Sequence, residues 1–181
     1  MDAGDFCVLD VETTGGSMSN IPVDFRLLVT GIRQGTSYAM YTSVPESLGQ
    51  LADYLDGFTG PVVTFNGVRF DLPVIDSWFQ QQLGRRLSVT THYDLMLEIE
   101  HAAGHRISLD RLCQYTFGEE KVTWDFRRNS QAWIDEPELL IDYNRIDLDL
   151  THELFMRVLR GDYLFLGDAS VQLPTAPSRT D

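Results

Sequence analysis

The stretch Val8-Leu9-Asp10-Val11-Glu12-Thr13-Thr14-Gly15 places two acidic residues inside a segment that otherwise has the composition of a buried β-strand. Side chains alternate between the two faces of a strand, so Asp10 and Glu12 point in the same direction. Two like charges on one face of a buried strand repel each other and lose their hydration. The stretch therefore predicts a core strand over 5–12 whose acidic face needs a stabilising partner.

Length, composition and net charge limit the kinds of protein that this chain can be. The chain has 181 residues, of which 43% are apolar and 23% charged, as is typical of one soluble globular domain. It contains no run of about eighteen apolar residues, so we expect no membrane span and no membrane partner. The net charge of −13 argues against a broad basic surface for nucleic acid, yet carboxylates that hold cations contribute to the same negative total.

The cysteines and the first residues suggest a compartment. Cys7 and Cys113 have no CxxC or Cys/His neighbourhood, so they are predicted to be buried free thiols. The first ten residues, MDAGDFCVLD, are acidic where a signal peptide is basic. We therefore expect a cytoplasmic protein.

Strand and helix signals follow one another in an order that predicts an α/β fold. Strands at 27–33 and 36–43 follow the first strand, and short strands near 61–65 and 88–92 alternate with helices. We therefore expect a mixed five-stranded sheet flanked by helices.

The domain organisation is simple. Residues 1–166 are predicted to form a single domain, and 167–181 have the composition of a disordered tail. The polar connection 119–136 is predicted to be a long loop, which is typical of a functional or mobile segment. Its Trp124, Phe126 and Trp133 could stack bases, anchor the loop on the core or contact a second subunit.

Asp71 is the next acidic candidate. It follows the strand near 61–65 and opens a helix that carries Pro73 in its first turn. The simpler interpretation of an aspartate in this position is a helix N-cap. The alternative is a carboxylate placed beside Asp10 and Glu12.

Asp147 is the fourth acidic candidate, on a helix predicted over 135–161. The apolar stripe of this helix is predicted at Leu139, Leu140, Tyr143, Ile146, Leu150, Leu154 and Val158. Asp147 lies four residues after Tyr143 and so falls on the same stripe. A carboxylate on a buried face needs a partner, because an unpaired buried charge destabilises the fold.

These four carboxylates can be explained together. Asp10, Glu12, Asp71 and Asp147 could converge on two divalent ions, and hard oxygen ligands suit Mg²⁺ or Mn²⁺. Two such ions about 4 Å apart can activate a water and stabilise the leaving oxygen in phosphodiester hydrolysis. Tyr143, one turn before Asp147, would then orient the attacking water.

The three stretches DVETT (10–14), NGVRFD (66–71) and YNRID (143–147) resemble, in this order, the three exonuclease motifs of the DnaQ-like (DEDD) 3′–5′ exonuclease superfamily. The tyrosine four residues before the last aspartate resembles its DEDDy branch. Residues 62–75 look most like the family B polymerase-type and YprB-like members. The resemblance covers about residues 5–160.

The resemblance implies an RNase H-like fold and metal-dependent removal of 5′-mononucleotides from single-stranded DNA or RNA 3′ ends. It implies that Asp10, Glu12, Asp71 and Asp147 are metal ligands and that Tyr143 orients the nucleophilic water. It further implies that the substrate-binding residues near the terminal nucleotide are Thr13, Thr14, Asn66 and Phe70.

Several alternatives stay open at this stage. An RNase H-fold endonuclease would use similar carboxylates, and a silent nucleic-acid-binding or assembly module would keep the fold without turnover. The chain could form a homodimer or dock onto a replication or repair protein. Local basic residues could contact phosphates, although each alone is typical of a solubilising charge; they are Arg69, Arg85, Arg86, Arg106, Arg111, Lys121, Arg127 and Arg128.

Overall fold

The structure of the chain, a computed structural model, describes residues 2–118 and 125–176. Its main feature is a five-stranded sheet in the order β3-β2-β1-β4-β5. The strands are β1 (Cys7–Thr13), β2 (Leu27–Gln34), β3 (Ser37–Thr42), β4 (Val62–Thr64) and β5 (His92–Asp94). The first three strands are antiparallel, and β4 and β5 run parallel to β1. The expected mixed five-stranded sheet is confirmed.

Helices cover both faces of this sheet, as expected for an α/β fold. They are α1 (Pro45–Gly57), α2 (Asp71–Leu83), α3 (Leu95–Ala103), α4 (Leu109–Phe117), α5 (Asn129–Asp135) and α6 (Pro137–Arg160). None of the helices in the described part of the chain is long and apolar enough to cross a membrane.

The side chains of β1 divide between two hydrophobic cores in the predicted alternation. Phe6 and Val8 pack with α6 residues such as Leu148 and Phe155. Leu9 and Val11, from the opposite face, pack with residues of α1 and α2. The face of β1 that carries Asp10 and Glu12 is therefore the face that α6 covers.

The short strand β4 leaves part of β1 uncovered. Only Cys7 and Val8 of β1 are paired with β4, which ends at Thr64. Beyond this point β1 continues to Thr13 with β2 alone as its strand neighbour. The carboxyl-terminal half of β1, with both acidic residues, thus borders an opening in the sheet.

The buried face of α6 differs from the predicted apolar stripe. Leu139 and Ile146 are 44% and 38% exposed. The buried residues of α6 are Leu140, Asn144, Leu148, Thr151, His152, Leu154, Phe155 and Val158. Three of these buried residues are polar. A stripe predicted from apolar residues alone is therefore shifted by about one residue from the face of α6 that is buried in the structure. Tyr143 and Asp147 lie beside the buried face and are half-buried.

Two further local predictions need correction. The strand expected at 88–92 is found at His92–Asp94, where Asp94 ends the strand and also caps α3 by accepting hydrogen bonds from the Met96 and Leu97 amides. The expected loop 119–136 contains a 3-10 helix, Phe126–Arg128, followed directly by α5. Residues 119–124, including Lys121 and Trp124, lie outside the described residues.

The beginning of the predicted disordered tail is packed on the domain. Strand β6 (Leu164–Phe165) pairs with β7 (Ser170–Val171) across a turn at Gly167. Leu173 is buried in the core that contains Phe6, and Tyr93 donates a hydrogen bond of 2.7 Å from its hydroxyl to the Pro174 carbonyl. The burial of Leu173 stabilises 167–176 against the domain although this segment has few apolar residues. Residues 177–181 lie outside the described residues.

Candidate metal centre

Three carboxylates come together where α6 crosses β1. Asp10, Glu12 and Asp147 each offer one oxygen, and these oxygens lie within 4.8 Å of one another. Glu12 is buried, whereas Asp10 and Asp147 are half-buried and so keep contact with solvent. Like charges at this separation repel strongly in a partly buried site, and a shared cation would reverse that repulsion.

The Asp10 side chain is held by α6 itself. Asn144 is fully buried, and its Nδ2 donates a hydrogen bond of 2.7 Å to Asp10 Oδ2. An amide carries no charge, so this hydrogen bond orients the Asp10 carboxylate without forming an ion pair with it.

This contact depends on Gly31 of β2, which lies opposite Asp10 in the strand register. A Cβ on Gly31 would lie 1.9 Å from Asn144 Oδ1 and 2.8 Å from Leu148 Cδ1. Real Cβ atoms do not approach other atoms so closely, so the close passage of α6 over the sheet requires glycine here.

A second asparagine holds the other acidic residue of β1. Asn129, at the start of α5 and 2% exposed, donates from Nδ2 to Glu12 Oε2 at 3.0 Å and to the Thr13 carbonyl at 2.9 Å. Each acidic residue of β1 is therefore oriented by a neutral amide from a different helix.

Asp71 lies at the opening next to β1. It is 3% exposed, and its Oδ1 accepts a hydrogen bond of 3.0 Å from the Val11 amide, which β4 is too short to pair. Burial raises the pKa of Asp71 from 3.8 to about 7, opposed by its backbone hydrogen bonds and reinforced by the charges of Asp94 and Asp147. Asp71 is thus an electrostatic neighbour of Asp147, although it stands outside the three-carboxylate group defined above.

A cavity of about 300 Å³ opens beside Glu12. Thr13, Phe25, Phe70 and Asn129 contribute to its lining, and the two phenylalanine rings meet edge to face with centroids 5.0 Å apart. The structure therefore brings Thr13 and Phe70, two of the expected substrate-binding residues, to one cavity next to the carboxylates.

The other two expected substrate-binding residues lie elsewhere. Thr14 accepts a hydrogen bond of 3.1 Å on its hydroxyl from the Arg26 amide, which extends the β1–β2 pairing. Asn66 has a φ of 72° and forms the turn after β4. Its amide donates to Asp94 at 2.8 Å, and its side-chain oxygen accepts a hydrogen bond from Arg106.

The donor atoms fit a hard divalent cation. The three clustered ligands are all carboxylate oxygens, which is the ligand set that Mg²⁺ and Mn²⁺ prefer and zinc sites rarely use. Asp10, Glu12 and Asp147 could hold such an ion, with Asp71 as a further carboxylate at the same opening.

Sequence reasoning missed Gly31, Asn129 and Asn144. Asn144 had a detectable signal, because it stands at helical spacing with Leu140, Leu148 and Thr151 on the true buried face. Asn129 had none, since it lies 117 residues from Glu12 and no local pattern links the two.

Comparisons with known proteins support the fold. No family model matches the chain, and no curated protein matches it. Among solved structures, it is similar to the family B DNA polymerase from the hyperthermophilic archaeon Pyrobaculum calidifontis, with a TM-score of 0.67 and 17% identity over 85% of this chain. The chain covers 24% of that polymerase. The likeness shows a shared fold, and the expectation of an RNase H-like α/β fold is confirmed.

Proposed function

We propose that this chain is a metal-dependent 3′–5′ exonuclease that hydrolyses single-stranded DNA or RNA ends to 5′-mononucleotides. The observation that carries the proposal is the convergence of Asp10, Glu12 and Asp147, from two distant parts of the sequence, to within 4.8 Å. The order and spacing of the three sequence motifs support the same reaction, and the fold shared with a DNA polymerase structure is compatible with it.

In this proposal the carboxylates hold two Mg²⁺ or Mn²⁺ ions, with Asp10, Glu12, Asp71 and Asp147 as ligands. Such a pair of ions supplies a nucleophilic water and stabilises the leaving oxygen of the phosphodiester. Asn144 and Asn129 each hydrogen-bond one oxygen of Asp10 and of Glu12 and so restrict the orientation of these two ligands.

Tyr143 has the role of orienting the attacking water. It lies one helical turn before Asp147 on α6 and is half-buried. Its hydroxyl can both donate and accept a hydrogen bond, which suits it to positioning a water.

The cavity beside Glu12 would hold the terminal nucleotide. Phe25 and Phe70 offer apolar ring surface, and a base can stack on such a surface whatever its identity. We place the activity in the cytoplasm, where the buried thiols of Cys7 and Cys113, which are not in a disulfide, would stay reduced.

The test compares matched DNA and RNA oligomers labelled at the 3′ or the 5′ end, with Mg²⁺ or Mn²⁺ and with or without chelator. The 5′-labelled oligomer should give a ladder of products that shorten by one nucleotide at a time from the 3′ end. The 3′-labelled oligomer should release its label at once as mononucleotide. Cuts within a circular oligomer would indicate an endonuclease instead. Binding without any cleavage would indicate a silent module.

A further inference from the structure

A groove of about 480 Å³ lies between the start of α4 and the turn that precedes it. His105, Arg106, Ser108, Arg111 and Tyr115 line it, and all five are exposed. No carboxylate is among the described residues that line it. This is unusual in a chain with 14 basic and 27 acidic residues.

The two arginines of the groove are available for a ligand. Arg106 hydrogen-bonds the neutral side chain of Asn66 and lies close enough to Glu100 to help lower the pKa of that carboxyl, but the ion pair of Glu100 is with Arg69. Among the described residues no ion pair within 4.0 Å involves Arg106 or Arg111. By contrast, Arg69 and Arg86 are paired with Glu100 and Asp76. Unpaired guanidinium groups bind phosphate oxygens well, because their planar donors match phosphate geometry.

The groove lies at the same end of the sheet as the carboxylates. Arg106 reaches Asn66, which directly follows the carboxyl end of β4, and Asp10 and Glu12 occupy the carboxyl-terminal half of the parallel strand β1. Ligands of open α/β sheets bind outside the carboxyl ends of the strands. A strand whose 3′ end lies at the carboxylates can therefore continue past the Asn66 turn toward Arg106.

We propose that this basic groove binds the phosphate backbone of a single-stranded nucleic acid, upstream of the nucleotide that is hydrolysed. The proposal rests on the proposed exonuclease function, which supplies the direction of the strand. Arg106 and Arg111 contact phosphates, and the Tyr115 ring, in a residue that is 47% exposed, stacks on a base. The aromatic ring favours a nucleic acid over an acidic peptide as the ligand.

The experiment measures binding of 5′-fluorescent oligomers by anisotropy in chelator, where hydrolysis does not interfere. A short oligomer of about four nucleotides and a long one of about sixteen are compared, which spans the usual site sizes on single-strand-binding proteins. Arg111→Glu is the main variant because its side chain is exposed. Arg106→Ala is the second variant, and Arg86→Glu, the same charge change outside the groove, is the control.

Arg111→Glu should weaken binding of the long oligomer at least tenfold and leave the short one unchanged. Each lost phosphate contact should also lower the slope of log affinity against log salt by about 0.7. Equal binding of both lengths by the wild-type protein, unchanged affinity in both groove variants, or equal competition by an acidic peptide would overturn the proposal. Hydrolysis of the short oligomer, measured separately with metal, tests the exonuclease function on its own.

Discussion

The side chain of Asn129 donates a hydrogen bond of 3.0 Å to the carboxylate of Glu12, across 117 residues of sequence. The same Nδ2 reaches the Thr13 carbonyl at 2.9 Å, so α5 is attached to the strand that carries the acidic pair. The segment before α6 is therefore part of the candidate site, and Glu12 has a fixed orientation before any ion binds.

Replacing Asn129 by alanine should weaken metal binding. Loss of the amide donor removes one of the contacts that orient Glu12, and removing such a partner of a metal ligand typically costs about 10- to 100-fold in affinity. Mn²⁺ titration, followed by thermal shift and by hydrolysis, measures the change. Gln131→Ala, in the same helix and hydrogen-bonded to Asp135, is the control. Equal metal response in both variants would show that Asn129 only attaches α5.

Replacing Gly31 by alanine should destabilise the protein by about 1–3 kcal/mol, the usual cost of overpacking. The new Cβ would collide with Asn144 and push α6 away from Asp10. Urea unfolding measures the loss. Gly49→Ala is a matched control, because nothing lies within 4 Å of its Cβ position in α1. That variant should be neutral or slightly stabilised, since alanine favours helix.

Asp10→Ala and Asp147→Asn should abolish hydrolysis while the protein stays folded. Each removes one of the three clustered carboxylates, so the site loses charge and a ligand. Asp142→Asn, an exposed residue on α6 paired with Arg145, should keep full activity. Circular dichroism confirms folding, and the labelled-oligomer assay gives the rate. Normal turnover by either site variant would refute the metal assignment.

Tyr143→Phe should lower the rate without changing the metal concentration needed for half-maximal activity. The four carboxylates persist in this variant, and only the hydroxyl is lost. Single-turnover kinetics at saturating Mg²⁺ or Mn²⁺ measure the chemical step. A shift in metal requirement, with the rate unchanged at saturation, would mean that the hydroxyl acts on the ions and not on the water.

Asp71 should make the metal-free protein less stable as the pH rises. Its folded pKa of about 7 lies above its ordinary 3.8, so between these values the folded state keeps a proton that the unfolded chain has released. The contribution of protonated Asp71 to the free energy of unfolding is then fully present below about pH 4 and is lost as the pH rises through about 7.

Asp71→Asn removes this titration and keeps an oxygen that can accept from the Val11 amide. In chelator it should therefore be more stable than the wild type at pH 8, with the difference shrinking toward pH 4. Urea unfolding across this range measures the effect. A constant difference at every pH would show that Asp71 ionises normally in the fold.

The sequence was informative about features that depend on neighbouring residues within one strand or helix. The alternation along β1 correctly divided Phe6 and Val8 from Leu9 and Val11 between two cores, because strand periodicity depends only on neighbouring residues. The fold class followed from the order of strand and helix signals.

The sequence failed where a polar residue is buried by a distant partner. Asn144 lies at helical spacing with buried residues of α6, but the predicted stripe counted apolar residues alone, so its contact with Asp10 was not anticipated. In the same way, the hydrogen bond from Asn129 to Glu12 spans 117 residues of sequence. Such pairings depend on tertiary distances that no local pattern contains.

Strand β4 has three residues, and its length limits which insertions and substitutions the protein can accept there. If an insertion lengthened β4 by two residues, the new strand would pair with the Val11 amide and displace Asp71 from it. Substitutions within Val62–Thr64 that keep the core filled should be tolerated far better than a change in the number of residues there. The opening that holds Asp71 beside the candidate metal centre thus exists because β4 stops early.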